Sequence, residues 1–477
     1  MQPRLRVMET GLRGGSIRAE RAVLAAVMLG GSDTRSGSDD PLAELRALAQ
    51  TAAVETVGQL IQNRADMDPR TCLGKGKIAE LKAMVEELGA GVVIFDHELS
   101  PSQLRNIEEA VCQKVIDRSE LILDIFANRA TSRAAQLQVE IAQLEYTAPR
   151  LRAMWSHLGQ VTGGSPVGVG TRGPGEQQLE IDRRLVSRRI VALKRELAEV
   201  QARKTREVQA RRAEHFTVGL VGYTNAGKST LFNALTAGGA FANDQLFATL
   251  QTRTEAWNLG GGNEALLSDT VGFIQRLPHH LVASFRATLE ETVHAHLLLV
   301  VVDAADPRAP QQLDTVRTVL GEIGATGQPR MVVLNQVDRL PRFPDEVALP
   351  AWSTAEPTAI AVSARTGFGL DRLKERVRET LLGQLQEVTI RLPLRESKAV
   401  DFLESRTQVL SRDWDEVQSI LRTRLARRHI EHLLARGVRF TVDGEPPHAA
   451  LGRLWPPASD DARERVPPHE RLFGIGE

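Results

Sequence analysis

Cysteine and long apolar runs are both scarce in this chain, and each shortage excludes a class of protein. The only two cysteines are Cys72 and Cys112, which have no metal-binding spacing and cannot build a disulfide framework. The longest aliphatic run, Leu297–Val302, is far shorter than the roughly 18 residues that span a bilayer. The N-terminus also lacks the apolar core of a signal peptide. We therefore expect a cytoplasmic protein without a transmembrane segment, while peripheral association with a membrane stays open.

A net charge of either sign is also missing. The 60 Lys and Arg residues balance 60 Asp and Glu residues, so the chain as a whole does not have the charge of a nucleic-acid-binding protein. Any contact with RNA must depend on a local excess of basic residues. A length of 477 residues favours three or four domains.

The most informative motif is GYTNAGKS at Gly222–Ser229. It follows a predicted strand, Phe216–Val221, and precedes a predicted helix, Thr230–Leu235, which is the context that a P-loop requires. Glycines let the backbone N–H groups turn toward phosphates, and the helix N-terminus faces the same anion. The predicted nucleotide-binding residues of this loop are Gly222, Tyr223, Thr224, Asn225, Ala226, Gly227, Lys228, Ser229 and Thr230.

Motifs farther along the chain identify the base as guanine. A D-x-x-G motif follows one predicted strand, Ala265–Ser268, and an N-x-x-D motif follows another, Met331–Leu334. The carboxylate of Asp338 can accept from the ring N–H and the exocyclic amine of guanine, a donor pair that adenine lacks. A fourth motif, Ser363-Ala364, follows a further predicted strand, Ala359–Val362, and resembles the loop whose backbone N–H contacts the guanine O6. Four motifs in fixed order at strand ends predict a GTPase. The additional nucleotide-binding residues are Asp269, Thr270, Val271, Gly272, Asn335, Gln336, Val337, Asp338, Ser363 and Ala364.

Hydrolysis of GTP requires Mg²⁺ and residues that respond to the γ-phosphate. Ser229 and Asp269 are the predicted Mg²⁺ ligands, and Thr249, 20 residues after Ser229, is spaced as the switch threonine that completes the coordination. Its neighbours Phe247, Ala248 and Leu250 are included in the predicted site. The predicted catalytic residues are Lys228, Thr249 and Gly272.

Three positions distinguish this chain from common GTPases. Gln336 replaces the lysine of the usual N-K-x-D loop, which predicts weaker guanine affinity with retained specificity. Phe273 replaces the glutamine that orients the attacking water in small signalling GTPases, so hydrolysis by the protein alone is expected to be slow. Asn225 occupies a position at which some GTPases hold a potassium ion, although an asparagine can also simply stabilise the loop.

Taken with segments outside the GTPase region, these motifs resemble the HflX family of translational GTPases. The segments are ERAVL at Glu20–Leu24, GKGK at Gly74–Lys77, DHELSPSQLRN at Asp96–Asn106, LILDIFANRA at Leu121–Ala130, LQVEIAQLEY at Leu137–Tyr146 and GTRGPGEQQLE at Gly170–Glu180. The resemblance covers residues 17–384 and implies action at the large ribosomal subunit. The departures from the family pattern are Gln336, Gln177 where threonine is common, and TLQTRT in the first switch region.

The region before the P-loop divides into two parts. Alternating predicted strands and helices indicate a small parallel α/β domain, whose GKGK turn is either a phosphate site or a solvated turn. Two long helices with apolar stripes at 4-3 spacing follow and predict an antiparallel hairpin, with Pro149 expected to bend the first helix. The second, Glu176–Glu214, carries eleven Lys and Arg against seven Asp and Glu.

The two helices are joined by an unusual connection, Gly159–Gly175. Seven of its seventeen residues are glycine, and Arg172 is its only charged residue. Such a loop is either functional or a disordered linker. The family resemblance implies the functional alternative, in which the loop enters a polyanionic site near the catalytic centre of the large subunit.

The predicted fold class is α/β, with a P-loop GTPase domain preceded by a small parallel α/β domain and a helical hairpin and followed by a small α+β domain. In the C-terminal domain we predict a strand at 388–392, helices at Ser397–Leu403 and Trp414–Arg436 and a strand at Val438–Val442, with the stretch Arg422–Arg428 either solvated or contacting RNA. The predicted boundaries are 1–40 for a flexible segment with one candidate strand at 22–28, 41–125 for the α/β domain, 126–213 for the hairpin, 214–384 for the GTPase domain and 385–477 for the C-terminal domain.

The predicted function is GTP hydrolysis coupled to the large ribosomal subunit and its RNA, by a protein expected to be a monomer. Splitting, rescue and assembly of ribosomes all fit the motifs. Two alternatives are a cation-dependent GTPase that acts in tRNA modification, whose usual C-terminal cysteine is missing here, and a GTP-gated scaffold for membrane or protease partners.

Overall fold

The structure is a computed structural model that describes most of the chain. The described residues are 20–29, 40–155, 174–236, 252–274, 290–341, 343, 349–356 and 358–455. Residues 30–39, most of the glycine-rich connection and the predicted switch residues 247–250 therefore lie outside them. Contacts group the chain into two compact units, the first containing Met1–Val208, Val218–Glu255 and Leu267–Leu370, the second Gln209–Thr217, Ala256–Leu266 and Asp371–Glu477. Among the described residues, no helix has both the length and the apolar character needed to cross a membrane.

The N-terminal region forms a parallel α/β domain, as predicted. Its strands pair in the order β2-β1-β3-β4, and all three pairings are parallel. The predicted strand at residues 22–28 is thus one of the two central strands, and its side chains are almost all buried, as is typical of a sheet covered on both faces. The elements are β1 (Arg21–Leu29), α1 (Ala43–Thr51), β2 (Glu55–Arg64), α2 (Lys75–Leu88), β3 (Val92–Phe95), α3 (Pro101–Val111), β4 (Lys114–Asp117) and α4 (Arg118–Arg129).

Each face of this sheet has its own apolar core. Leu81 of α2 and Leu104 of α3 belong to the core of one face. Leu45 of α1 and Phe126 of α4 belong to the core of the other face, which continues without a break to Tyr223 of the P-loop. The N-terminal domain and the nucleotide-binding loop therefore share one apolar core inside the first unit.

The predicted helical hairpin is present as α5 (Arg133–Trp155) and α6 (Pro174–Glu214). Its helices are antiparallel. Arg133, at the start of α5, pairs with Glu196, while the later residues Glu140 and Glu145 pair with the earlier α6 residues Arg189 and Lys194. Pro149 lies inside α5, which continues through it. The apolar stripes form a small core between the helices, composed of Leu137, Ile141, Leu193 and Leu197 with Leu144 and Val200 beside it.

A buried polar network attaches α5 to the N-terminal sheet. Asp117, at the end of β4, is fully buried, and its Oδ2 lies 2.8 Å from Nη2 of Arg150. The Tyr146 hydroxyl donates to Asp117 Oδ1 at 2.7 Å, and the Arg150 guanidinium lies 3.3 Å from the centre of the Tyr146 ring. The same carboxylate accepts the backbone N–H groups of Leu99 and Glu120. The Asp117 side chain thus holds three segments in place, namely the backbone just before α3, the first turn of α4 and the second half of α5.

Replacing Arg150 by methionine is expected to lower the free energy of unfolding by about 3 kcal/mol. The loss leaves the Asp117 carboxylate buried without its cation, and breaking a buried ion pair costs far more than losing an exposed one. Urea unfolding followed by circular dichroism measures the change. The matched control is Arg189→Met, which removes an arginine from an exposed pair in the same hairpin and should cost less than about 1 kcal/mol. Equal losses in the two variants would contradict this role for the buried network.

The GTPase region is built on a six-stranded sheet in the order β10-β9-β8-β5-β7-β6. The pairs β5/β8, β8/β9 and β9/β10 are parallel, so the carboxyl ends of these strands lie at one edge, where α/β proteins bind ligands. The elements are β5 (Phe216–Gly222), α7 (Lys228–Leu235), β6 (Arg253–Gly260), β7 (Asn263–Asp269), α8 (Glu290–Val293), β8 (Leu297–Asp303), α9 (Ala309–Glu322), β9 (Arg330–Asn335) and β10 (Ile360–Ala361).

The C-terminal region is an α+β module, as predicted. Its strands form an antiparallel sheet in the order β12-β13-β11-β14, with an apolar core between the sheet and its helices. The elements are α10 (Leu370–Gly383), which precedes the module and contributes no residue to this core, and then β11 (Leu385–Pro393), α11 (Ser397–Arg406), β12 (Gln408–Trp414), β13 (Gln418–Ala426), α12 (Arg427–Ala435), β14 (Thr441–Val442) and α13 (Pro447–Leu454).

The predicted helix Trp414–Arg436 is wrong over its first half. Residues Gln418–Ala426 form β13, in which buried residues alternate with Arg422 and Arg424, and a period of two is typical of a strand. Both arginines contact Glu387 of the neighbouring strand, whereas Arg428 lies in α12, where burial lowers the pKa of its guanidinium to about 10. The arginine-rich stretch is therefore not one helical face. The predicted strand at 438–442 is limited to its last two residues, β14.

Candidate nucleotide-binding site

The P-loop leaves the sheet at the end of β5 and enters α7, which begins at Lys228. Two of its glycines have no room for a side chain. A Cβ atom on Gly222 would collide with the carbonyl oxygen of Val301, and one on Gly227 would collide with the side chain of Asn335. Gly227 also has a positive φ of 83°, which only glycine adopts without strain. These glycines hold the loop close to β8 and β9.

Lys228 is a buried cation held inside the loop. Its ammonium group donates to the carbonyl oxygens of Gly222 at 3.2 Å and Tyr223 at 2.7 Å. Burial lowers the pKa of Lys228 to about 8, and the nearby Asp269 carboxylate opposes this shift only in part. A desolvated cation of this kind is stabilised by an approaching anion. The arrangement therefore suits the binding of a phosphate chain.

The two predicted magnesium ligands within the described residues lie together. The Ser229 hydroxyl donates to Asp269 Oδ2 at 2.7 Å, and Asp269 is almost completely buried at the end of β7. A hydroxyl and a carboxylate are the hard oxygen ligands that Mg²⁺ binds beside phosphate oxygens and waters. Within the described ranges no group of three or more His, Cys, Asp and Glu could hold a metal, and a P-loop site of this kind needs only one carboxylate. The residues present thus fit Mg²⁺, and Thr249 lies outside the described residues.

The D-x-x-G segment lies directly against the P-loop. The Thr224 N–H donates to Phe273 O at 2.7 Å, and the Phe273 N–H donates to Gly222 O at 3.0 Å. A Cβ atom on Gly272 would lie 2.9 Å from both Lys228 Nζ and Thr224 Cγ2, so a side chain here would displace one or both of these groups. Phe273 is buried and cannot orient an attacking water. The hydrogen bonds between the two segments were not predicted from the sequence.

The Tyr223 side chain is buried in the core shared with the N-terminal domain. Arg118 lies next to it, paired with Glu44 and, at 2.9 Å, with Asp96. Burial opposes the charge of Arg118, but Glu44, Asp96 and Tyr223 outweigh it and raise the pKa of the guanidinium. Burial likewise opposes the charge of Arg308, but Asp306, with smaller contributions from Glu44 and Tyr223, outweighs it and raises the pKa of Arg308. Tyr223 was predicted as a nucleotide contact; in the structure its side chain is buried near Arg118, and its carbonyl oxygen accepts the Lys228 ammonium at 2.7 Å.

The guanine-loop residues are joined to the P-loop and to each other. Asn335 Nδ2 donates to Ala226 O at 2.9 Å, and Asn335 Oδ1 accepts the N–H of Ala364 at 3.1 Å. Asp338 Oδ1 accepts the hydroxyl of Ser363 at 2.7 Å. The predicted P-loop, D-x-x-G and guanine-loop residues are thus brought to one edge of the sheet, whereas the predicted switch residues 247–250 lie outside the described residues.

Comparisons with known proteins agree with this geometry. Four family models match consecutive parts of the chain. They are described as GTP-binding GTPase N-terminal (residues 39–127), GTP-binding GTPase Middle Region (129–212), 50S ribosome-binding GTPase (217–336) and HflX C-terminal domain (348–438). The GTPase HflX of Escherichia coli strain K12 is 43% identical over 401 residues, which cover 83% of this chain and 91% of that protein.

The chain belongs to the HflX family. The GTPase HflX of Caldanaerobacter subterraneus is 40% identical over 398 residues, covering 83% of this chain and 89% of that protein. Among solved structures, a GTP-binding protein from the archaeon Sulfolobus solfataricus in complex with GDP has 22% identity and a TM-score of 0.41, covering 75% of this chain and 98% of that one. Membership of the HflX family makes this protein a GTPase. It also confirms the predicted order of an N-terminal region, a helical middle region, a P-loop domain and a C-terminal region.

Proposed function

We propose that this HflX-family GTPase is a GTP-dependent factor that binds the large ribosomal subunit and its RNA. The observation that carries the proposal is the match of residues 217–336 to the model described as 50S ribosome-binding GTPase. The hairpin helix α6 gives local support, because its basic residues exceed its acidic ones while the whole chain is neutral. The glycine-rich connection at 159–175 follows α5 and reaches the start of α6, and in this proposal it is the part that contacts ribosomal RNA.

In this proposal each residue of the nucleotide site has a defined role. Lys228 and the backbone N–H groups of the P-loop bind and neutralise the β- and γ-phosphates, and Gly272 responds to the γ-phosphate through its N–H. Ser229, Asp269 and Thr249 would hold Mg²⁺, which would supply charge neutralisation at the transferred phosphoryl group. Asp338 binds the guanine base. The γ-phosphate would order Thr249 and Gly272 in the state that binds the ribosome, and hydrolysis would release it.

We further propose that hydrolysis is slow until a partner or a cation completes the site. Phe273 is buried beside the P-loop, so the position after the D-x-x-G motif supplies no water-orienting group. Asn225 is exposed at the rim of the loop with a positive φ of 64°, a placement compatible with a potassium ligand. Either the ribosome or K⁺ at Asn225 would then supply the missing stabilisation of the transition state.

Co-sedimentation with purified ribosomal subunits tests the proposal. We expect the protein to migrate with the large subunit in the presence of a non-hydrolysable GTP analogue and to leave it when GDP replaces the analogue. A variant in which residues 159–175 are replaced by a short turn should keep its intrinsic GTP hydrolysis, because the phosphate-binding residues lie elsewhere in the chain. It should lose binding to the large subunit and stimulation by it.

The control for nonspecific RNA binding is the small subunit, with which the protein should not migrate in either nucleotide. Failure to bind the large subunit in any nucleotide state would contradict the proposed function. Stimulation of hydrolysis by tRNA alone would favour a role in tRNA modification. Binding of both the parent protein and the 159–175 variant to a membrane or protease partner would favour a scaffold. Full ribosome stimulation of the variant lacking 159–175 would assign the contact to another part of the chain.

A further inference from the structure

The guanine loop of this protein contains a cation at an unexpected position. Gln336 occupies the place of the usual lysine and adopts a positive φ of 60° before a short 3-10 turn, Val337–Arg339. Its side-chain Nε2 donates to the carbonyl oxygen of Asn225 in the P-loop at 3.0 Å. The neutral amide therefore still bridges the guanine loop to the P-loop, across 111 residues of sequence.

The missing positive charge is provided three residues later. Nη1 of Arg339 donates to Oε1 of Gln336 at 2.7 Å and to Oδ2 of Asp303 at 3.2 Å. Asp303 ends β8, and its other carboxylate oxygen accepts the N–H of Ala305 at 2.9 Å. The four groups form a continuous chain of hydrogen bonds from the end of β8, through Arg339 and Gln336, to Asn225.

The chemistry of the two side chains explains why they occur together. A glutamine amide has both a donor and an acceptor, so its oxygen can bind a guanidinium while its NH₂ group binds a carbonyl. A lysine at 336 has only donors and would place a second positive charge next to Arg339. The terminal torsion of glutamine is broad, so an unrestrained amide samples orientations that turn the NH₂ group away from the P-loop. A hydrogen bond from a charged donor removes that freedom.

We propose that Arg339 is a positioning residue for guanine-nucleotide binding, which supplies the charge absent from position 336 and holds the Gln336 amide against the Asn225 carbonyl. Arg339 does not contact the reacting phosphate in this assignment. It keeps the guanine loop and the P-loop joined in the GDP and GTP states alike. Its contribution is therefore uniform binding, which changes KM and leaves kcat unchanged.

A double-mutant cycle with the purified full-length protein tests the assignment. Arg339→Ala is expected to raise KM for GTP and the dissociation constant of a fluorescent GDP by about 5-fold, in the range of one hydrogen bond between a side chain and a partly exposed partner. Its kcat should stay within about 2-fold of the parent value. Gln336→Lys combined with Arg339→Ala should bring KM back to within about 2-fold of the parent, because the lysine then reaches the Asn225 carbonyl without a neighbouring cation.

The matched control is Arg317→Ala, which removes an exposed, ion-paired arginine from α9 of the same unit and should leave KM unchanged. The thermal unfolding midpoints of the nucleotide-free Arg339→Ala and Arg317→Ala proteins should agree. Three results would each overturn the assignment. The first is an unchanged KM in Arg339→Ala. The second is an increase in KM from Arg339→Ala that is equally large when lysine occupies position 336. The third is a loss of thermal stability confined to Arg339→Ala.

Discussion

Replacing Lys228 by alanine is expected to reduce kcat/KM for GTP by about 10³-fold, which is the upper range for removal of one preorganised electrostatic group. The Lys228 ammonium is buried, is held by two carbonyl oxygens of the P-loop, and has a pKa lowered to about 8 by burial. The P-loop, Gly222–Ser229, contains no second lysine. Replacing Lys228 therefore removes the cation that would neutralise the phosphates. Steady-state hydrolysis and equilibrium binding of a fluorescent GTP analogue measure the effect.

The pH dependence of binding separates this role from a structural one. A nearby phosphate favours the charged amine, so bound GTP should raise the pKa of Lys228. Once the pH exceeds about 8, the binding of GTP is therefore accompanied by uptake of a proton on Lys228. The affinity of the parent protein should therefore fall above that pH, by up to about tenfold per pH unit. The isosteric change Lys228→Met should abolish this dependence, while Lys194→Ala on the hairpin should retain it. Undiminished hydrolysis by the alanine variant would refute the assignment of Lys228.

Replacing Asp338 by asparagine is expected to change the preferred nucleotide from GTP to XTP. The Asp338 carboxylate can accept two hydrogens from guanine, whereas an amide offers one acceptor and one donor and so complements the carbonyl group of xanthine. The Ser363 hydroxyl donates to Asp338 Oδ1 at 2.7 Å, and the same bond would keep the amide oxygen on that side and leave the NH₂ group for the base. Sites built for hydrogen bonding reject the wrong partner strongly, so the ratio of the two affinities should change by about 10⁴-fold.

Competition between GTP and XTP for a fluorescent nucleotide measures this ratio directly. Asp314→Asn is a matched control, because it makes the same change on the exposed surface of α9 and should leave the preference for GTP intact. If GTP still outcompetes XTP in the Asp338 variant, another residue reads the base. Loss of binding of both GTP and XTP by a variant that is as stable to unfolding as the parent would also contradict the proposed reversal.

The parts of the site that the sequence predicted are those whose residues are close together in the chain. A strand, a glycine loop and a helix that starts with Lys-Ser make the P-loop by local geometry, and the D-x-x-G motif follows its own strand in the same way. The sequence-based prediction of a helix is wrong at Gln418–Ala426, which forms a strand with alternating buried and exposed residues. The conformation of this segment is decided by its packing against the strand that contains Glu387. Glu387 lies more than 30 residues earlier in the chain.

The sequence by itself determined that this protein is a P-loop GTPase with guanine specificity motifs, a parallel N-terminal domain and a helical hairpin. Only the tertiary structure decided how these parts are joined. It buries Asp117 with Arg150 from 33 residues away, buries Tyr223 of the P-loop near Arg118 of the N-terminal domain, and joins Gln336 to the carbonyl of Asn225 across 111 residues. Such contacts depend on which elements pack together, and a buried or shared charge is stable only where distant segments supply its partners. A local pattern carries no information about those partners.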